Sequence, residues 1–206
     1  MVDIFRYVSC HQTNFDTYSV VLESLLIDTC SFFDSLCQTF IREKSLAGYK
    51  FKKESAVADF RNKVEGEGKA DFNFADYRQL LEGDFILSTK AVNVNPYEDA
   101  FYSNPMHYLP DAVAGHMIFP FDEWGSGKES PWWKAFTELK HDRISNFRKA
   151  SLKNALYSLA ATFMILTLRH EAEFKAGSVS LELYDLFFPK YWTFKGRVSV
   201  MNFMWT

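Results

Sequence analysis

From Tyr18 to Arg42 the positions Leu22, Leu25, Leu26, Thr29, Phe33, Leu36 and Phe40 recur at three- and four-residue intervals, the spacing of one helix face. Thr17 or Asp16 is placed to cap the start of this helix. A second line on it runs through Glu23, Ile27, Cys30 and Asp34, so two carboxylates share a face that is otherwise apolar. Lys44 to Gly68 is charged, with a break at Glu65-Gly66-Glu67-Gly68 and a weak amphipathic helix before it, and predicts the flexible surface loop of the chain. Asn73 to Glu82 follows as a short helix with Phe74, Tyr77, Leu80 and Leu81 inward. Two strands are expected after it, Phe85 to Val94 and Val113 to Phe119. The Pro-, Asn- and Tyr-rich excursion between them, Asn95 to Asp111, predicts an ordered loop over the surface.

Pro120 to Gly127 closes into a turn, and Ser130-Pro131 opens a helix, with Ser130 as cap and Pro131 at the first helical position. A bend around Ser145-Asn146-Phe147 leads to the strongest helix, from Ala150 or Ser151 to about Glu173. Its inward positions are Leu152, Leu156, Leu159, Ala160, Phe163 and Leu166. Asn154 to Leu168, the longest uncharged run, is too short to span a bilayer and carries Asn, Tyr, Ser and Thr, so it reads as a buried core helix. In the tail, an apolar stretch from Leu181 to Phe188 precedes Tyr191 to Phe194 and Val198 to Phe203. These two flank Lys195-Gly196 and predict a hairpin. The pattern therefore predicts one mainly α domain with a small β insertion, a helical core over about 15–170 and a C-terminal β-hairpin appendage over about 178–206.

Composition narrows the class. A chain of 206 residues with 48% apolar residues buries one substantial core, and 21 phenylalanines predict thick aromatic packing. The net charge of -3 excludes a global basic field, so any anion site must be local. Cys30 and Cys37 lie roughly 10 Å apart along one helix and cannot pair. With Cys10 left over, a reducing cytoplasm is the expected setting and no membrane association is expected. The five histidines have no metal-ligand spacing, so neither a metal nor another cofactor is expected.

Chemistry concentrates in Lys140-His141-Asp142-Arg143. Helical spacing would put Lys140 and Arg143 on one face with His141 beside them. A histidine can exchange protons near neutral pH and a guanidinium can stabilise negative charge on phosphorus. Arg148, Lys149 and Lys153 extend the basic run, with Asp142 the single acid between 140 and 153, and could follow a nucleic-acid backbone. The same cations facing Glu23 and Asp34 would equally make an ion-pair network without catalysis.

Taken in order, the motifs resemble those of the HEPN superfamily of α-helical domains, and more narrowly a group of bacterial HEPN-like proteins. They are the acids Glu23 and Asp34 on an early helix, the Pro120-Phe121-x-x-Trp124 turn, the Pro131-Trp132-Trp133 entry, the Lys140-His141-x-Arg143 helix, and Asn154 before an Ala/Leu-rich helix. The resemblance implies a HEPN-like helical bundle, a homodimer, and metal-independent endoribonuclease chemistry through Arg-x4-6-His that leaves a cyclic phosphate. It implies His141 as general acid or base, Arg143 steadying the phosphorane beside Lys140, and Glu23, Asp34 and Asn154 as supports. In this chain the histidine precedes the arginine, and Phe136-Thr137 stands where an aromatic-Asn pair is usual; Arg6 to His11 also spells Arg-x4-His. Two functions are expected from the resemblance. One is RNA binding or cleavage in a bacterial toxin or phage-defence system. The other is a non-catalytic interaction or assembly module whose charged cluster is a buried ionic network and whose aromatic loop at 96–124 binds a partner protein such as an antitoxin or defence-system subunit.

Overall fold

The computed structural model describes residues 12–66, 71–94 and 117–176, together with strand backbone at 187–190, 193–194 and 197–198. Its longest element is α1 (Val20–Leu46), whose Leu22, Leu26, Cys30, Phe33, Leu36, Cys37, Phe40 and Ile41 are buried. The expected cap moves: Ser19, in extended conformation, accepts the Leu22 amide at 3.1 Å, because Tyr18 is already held in a bridge to Ser151. The helix also runs on past Arg42 and stops at Gly48, which takes the left-handed φ of 84° that a Cβ would oppose.

The segment expected to be a flexible loop carries the short helix expected before its glycine break, but it packs onto the core as far as it is described. Phe51, Val57 and Val64 are buried around α2 (Phe60–Glu65), and an aromatic chain links Tyr49 to Phe51, Phe51 to Phe60 and Phe60 to Phe72. A few large side chains with no periodicity suffice, because polar anchors supply the rest. Lys63 pairs with Asp76, Arg42 Nε donates to the Lys63 carbonyl, and the Tyr49 hydroxyl bonds Asp84.

Asn73 and Asp76 form a capping box at the start of α3 (Phe74–Tyr77), which continues through a π-helical turn, Arg78–Glu82, into α4 (Gly83–Phe85). Phe74, Tyr77, Leu80 and Leu81 face inward as expected. The first strand is shorter than predicted, since a turn over Leu87–Thr89 occupies its approach, and residues 113–116 of the second lie outside the described residues. β1 (Ala91–Val94) pairs antiparallel with β2 (Met117–Ile118) on one side and with β3 (Phe187–Lys190) on the other. Val92 stands opposite both Ile118 and Pro189. β4 (Thr193–Phe194) and β5 (Arg197–Val198) pair around residues 195–196, where the hairpin was expected. The Asn95–Asp111 excursion lies outside the described residues.

Three further elements complete the helical layer: α5 (Pro131–His141), α6 (Arg143–Asn146) and α7 (Leu152–Arg169). α8 (Glu171–Ala176) follows after a break at His170, so the single helix expected to reach Glu173 is two. Helix directions follow from the contacts at their ends. Tyr18 bridges Ser151 at the starts of α1 and α7, and Arg169 binds Glu43 through two hydrogen bonds of 3.0 and 2.7 Å near their ends, so α1 and α7 run parallel. α5 runs the other way, starting with Trp132 against Phe33 and finishing beside Glu23. Among the described residues no helix is long and apolar enough to cross a membrane.

Candidate functional site

The placement of α5 begins with the Pro120 carbonyl, which accepts both Trp132 Nε1 at 2.8 Å and the Ser130 hydroxyl at 3.2 Å. Ser130 stands at the cap position expected of it, with Pro131 following, but its hydroxyl serves this tertiary bond and caps no helix amide. Phe121, Trp132 and Phe74 close around Phe33 in edge and tilted contacts, Trp124 packs on Phe121 and Phe74, and Trp133 stacks on Phe74 at 4.5 Å. This aromatic block fixes the axis of α5 and carries its far end to the beginning of α1.

At that far end the helix breaks. Asp142 leaves the helical region with φ -146° and ψ 89°, its carboxylate accepts the Ser145 amide at 3.1 Å, and Arg143 starts the new helix α6. Lys140 and Arg143 therefore do not share one continuous helix face. The Ser145 hydroxyl and amide also hold the Asp142 carboxyl below its usual range. Asn146 closes the corner by donating to the Glu138 and Asp142 carbonyls at 3.2 and 2.9 Å. Asn154 donates to the Lys149 carbonyl at 2.8 Å.

Arg143 reaches back to α1 with its Nε 2.6 Å from Glu23 Oε1 and its Nη2 donating to Oε2 at 2.8 Å. The Oε1 contact lies off the N–H direction, so it contributes charge attraction and not an aligned hydrogen bond. Glu23 is 1% exposed, whereas the Arg143 side chain is 63% exposed, so the pair spans the boundary between core and solvent. Asp34 is not part of this group. It sits about 16 Å further along α1, where it accepts the Tyr77 hydroxyl at 2.7 Å and Gln38 Nε2 at 3.3 Å. Eleven residues on one helix face make two neighbours of different helices, which face periodicity alone does not show.

Of the remaining cations, Lys149 is held by Glu138 at 2.5 Å. The other three lie on rings: Lys140 over Phe136 at 5.8 Å, Arg148 over Tyr18 at 6.0 Å and Lys153 over Tyr157 at 5.7 Å. His141 is exposed at the end of α5, with no hydrogen bond or ion pair among the described residues. Arg6 and His11 lie outside the described residues.

Sequence reasoning missed the apolar side of this corner. Ile144, between Arg143 and Ser145, is 92% exposed, Val20 is 57% exposed and Tyr18 42%, with Phe147 meeting Tyr18 edge-on at 5.5 Å. A single aliphatic residue in the polar run His141-Asp142-Arg143-Ile144-Ser145-Asn146 was the available signal. Among the described residues no group of His, Cys, Asp and Glu side chains is arranged to hold a metal ion. Cys30 and Cys37 are buried free thiols, which burial pushes well above the usual thiol range. No family model, no curated protein and no solved structure matches this chain, so its reading rests on the geometry of the corner.

Proposed function

We propose that the chain is a HEPN-like helical module that binds a partner through the corner formed by the end of α5, α6 and the start of α7, without cutting RNA. The observation that carries this reading is the engagement of Arg143 by the buried Glu23 carboxylate. A guanidinium neutralised by its own buried anion offers a developing phosphorane much less than a free one does. Other groups that a nuclease would draw on are likewise committed: Asn154 ties the Lys149 carbonyl, Lys149 pairs with Glu138, and Asp34 accepts from Tyr77. His141 lacks, among the described residues, the partner that would orient its ring for proton transfer.

The test is RNA integrity. Wild type and His141→Ala, incubated with single-stranded RNA in chelator, are expected to leave the substrate equally intact. Chelator-resistant cleavage by the wild type that disappears in His141→Ala would establish the ribonuclease and overturn this reading. RNA binding without cleavage is a second reading, favoured by the seating of Lys140, Arg148 and Lys153 on aromatic faces. It requires retention of RNA that weakens steeply as salt is raised.

A further inference from the structure

We infer that the occupant of this corner is an acidic, amphipathic segment of another protein, a reading that rests on the binding-module proposal. Two features coincide there. The first is apolar: Ile144, Val20 and Tyr18 are exposed. The Arg143–Glu23 pair draws their elements together, since Ile144 follows Arg143 and Val20 stands one helical turn before Glu23. Isolated exposed aliphatic residues are ordinary, but three apolar groups brought to one corner beside Phe147 form a surface that a partner can desolvate.

The second feature is charge. Lys140, Arg148 and Lys153 are exposed and rest on rings, with no ion pair among the described residues. Of the exposed acids nearby, Asp122 acts electrostatically on Tyr157, and the Asp142 carboxylate already accepts the Ser145 amide. A cation over a ring keeps its charge while its stem is held in place, so less side-chain freedom is lost when an anion arrives. The α7 amides do not compete for that anion: Leu152 and Lys153 donate to the Thr17 and Phe15 carbonyls at 2.8 and 3.1 Å.

Charge alone would suit RNA as well. The apolar component separates the two, because nucleobases gain by stacking on flat rings and little from the branched ends of Ile144 and Val20. A peptide helix or strand bearing Leu or Phe beside Asp and Glu satisfies both halves of the surface.

The experiment uses the full chain and two display libraries of amphipathic 16-residue peptides. They share the same apolar positions and carry either Asp and Glu or Lys and Arg elsewhere. Selection is expected to enrich the acidic library only. Affinity for the recovered peptides should fall at least tenfold in Ile144→Asp and in Arg148→Glu, and should decline with salt. Both side chains are exposed, so both variants are expected to keep the wild-type melting temperature within a few degrees, which thermal denaturation checks. Failure to enrich the acidic library, equal enrichment of the basic one, or affinity unchanged in Ile144→Asp overturns the inference. Preferential binding of a 20-nucleotide oligouridine probe in place of the peptides also overturns it, in favour of RNA binding without cleavage. Cleavage of that probe would remove the binding-module reading itself, so the two failures are distinguishable.

Discussion

At the scale of single residues, the Glu23–Arg143 pair is asymmetric, and the asymmetry determines what mutation does. Arg143 lies mostly in water and can be removed without opening a cavity, but its removal leaves the Glu23 carboxylate buried without a countercharge. Breaking a fully buried pair in this way costs about 3–5 kcal/mol; solvent reaches this one, so Arg143→Ala is expected to cost about 2–3 kcal/mol in urea denaturation. Neutralising both ends in Glu23→Gln/Arg143→Gln is expected to recover most of that loss. A double variant no more stable than Arg143→Ala would show that the pair's worth lies elsewhere. Residue type allowed this contact as one of several pairings of Glu23 or Asp34 with the cations of the 140–143 run but could not select it, because the partners are separated by 120 positions and are joined only when α5 ends against α1.

At the scale of elements, helix ends were the hardest feature to read and the most informative once seen. The interior face of α1 follows the three-and-four spacing closely, because it buries one stripe, whereas α7 is buried nearly all round from Ser158 to Ile165 and its expected inward Leu166 is only half-buried. Their ends depend on neighbours: Ser19 caps α1 because Tyr18 is tied to Ser151, and α5 stops at Asp142 because Ser145 captures that carboxylate. The end of α4 carries strain of its own. Ile86 occupies the left-handed region at φ 50°, where a β-branched residue is disfavoured, and it is 52% exposed. Ile86→Asn is therefore expected to raise stability by about 1 kcal/mol, read as an upward shift of the melting temperature. A fall instead would mean that Ile86 contributes packing exceeding its backbone cost.

At the scale of the whole molecule, two tyrosine anchors are sensitive to alkali: Tyr77, which ties its helix to Asp34 of α1, and Tyr49, which holds the chain after α1 to Asp84. Burial, reinforced by the neighbouring Asp34, pushes the Tyr77 hydroxyl far above its ordinary range. Burial and Asp84 push Tyr49 up to about 12. Unfolded tyrosines release their protons near pH 10 while these two keep theirs in the fold. The unfolded state then binds fewer protons, so stability is fully present below about pH 10 and is lost as pH climbs through the raised native values. Melting temperatures are expected to fall between pH 9 and 11.5. The Tyr77 phenolate absorbance should appear only together with loss of the helical circular dichroism signal. Tyr77→Phe, which loses bonds of 2.7 and 3.0 Å to Asp34 and the Phe72 carbonyl, should melt lower at pH 8 but decline less steeply. An equal slope would remove Tyr77 from the explanation.

The chain's own pattern determined the mainly helical class, the inward face of α1, the strands on either side of the 95–116 span and the hairpin around residues 195–196, because each follows from local periodicity or turn chemistry. Tertiary structure alone decided which charges meet. It gave Asp34 to Tyr77 and Glu23 to Arg143, placed three cations on aromatic rings, and left Ile144 in solvent. The physical reason is one of range. Helix spacing states which residues share a face, whereas the partner across that face depends on how α5 is anchored at the Pro120 carbonyl and where it breaks, and so on contacts between residues far apart in sequence.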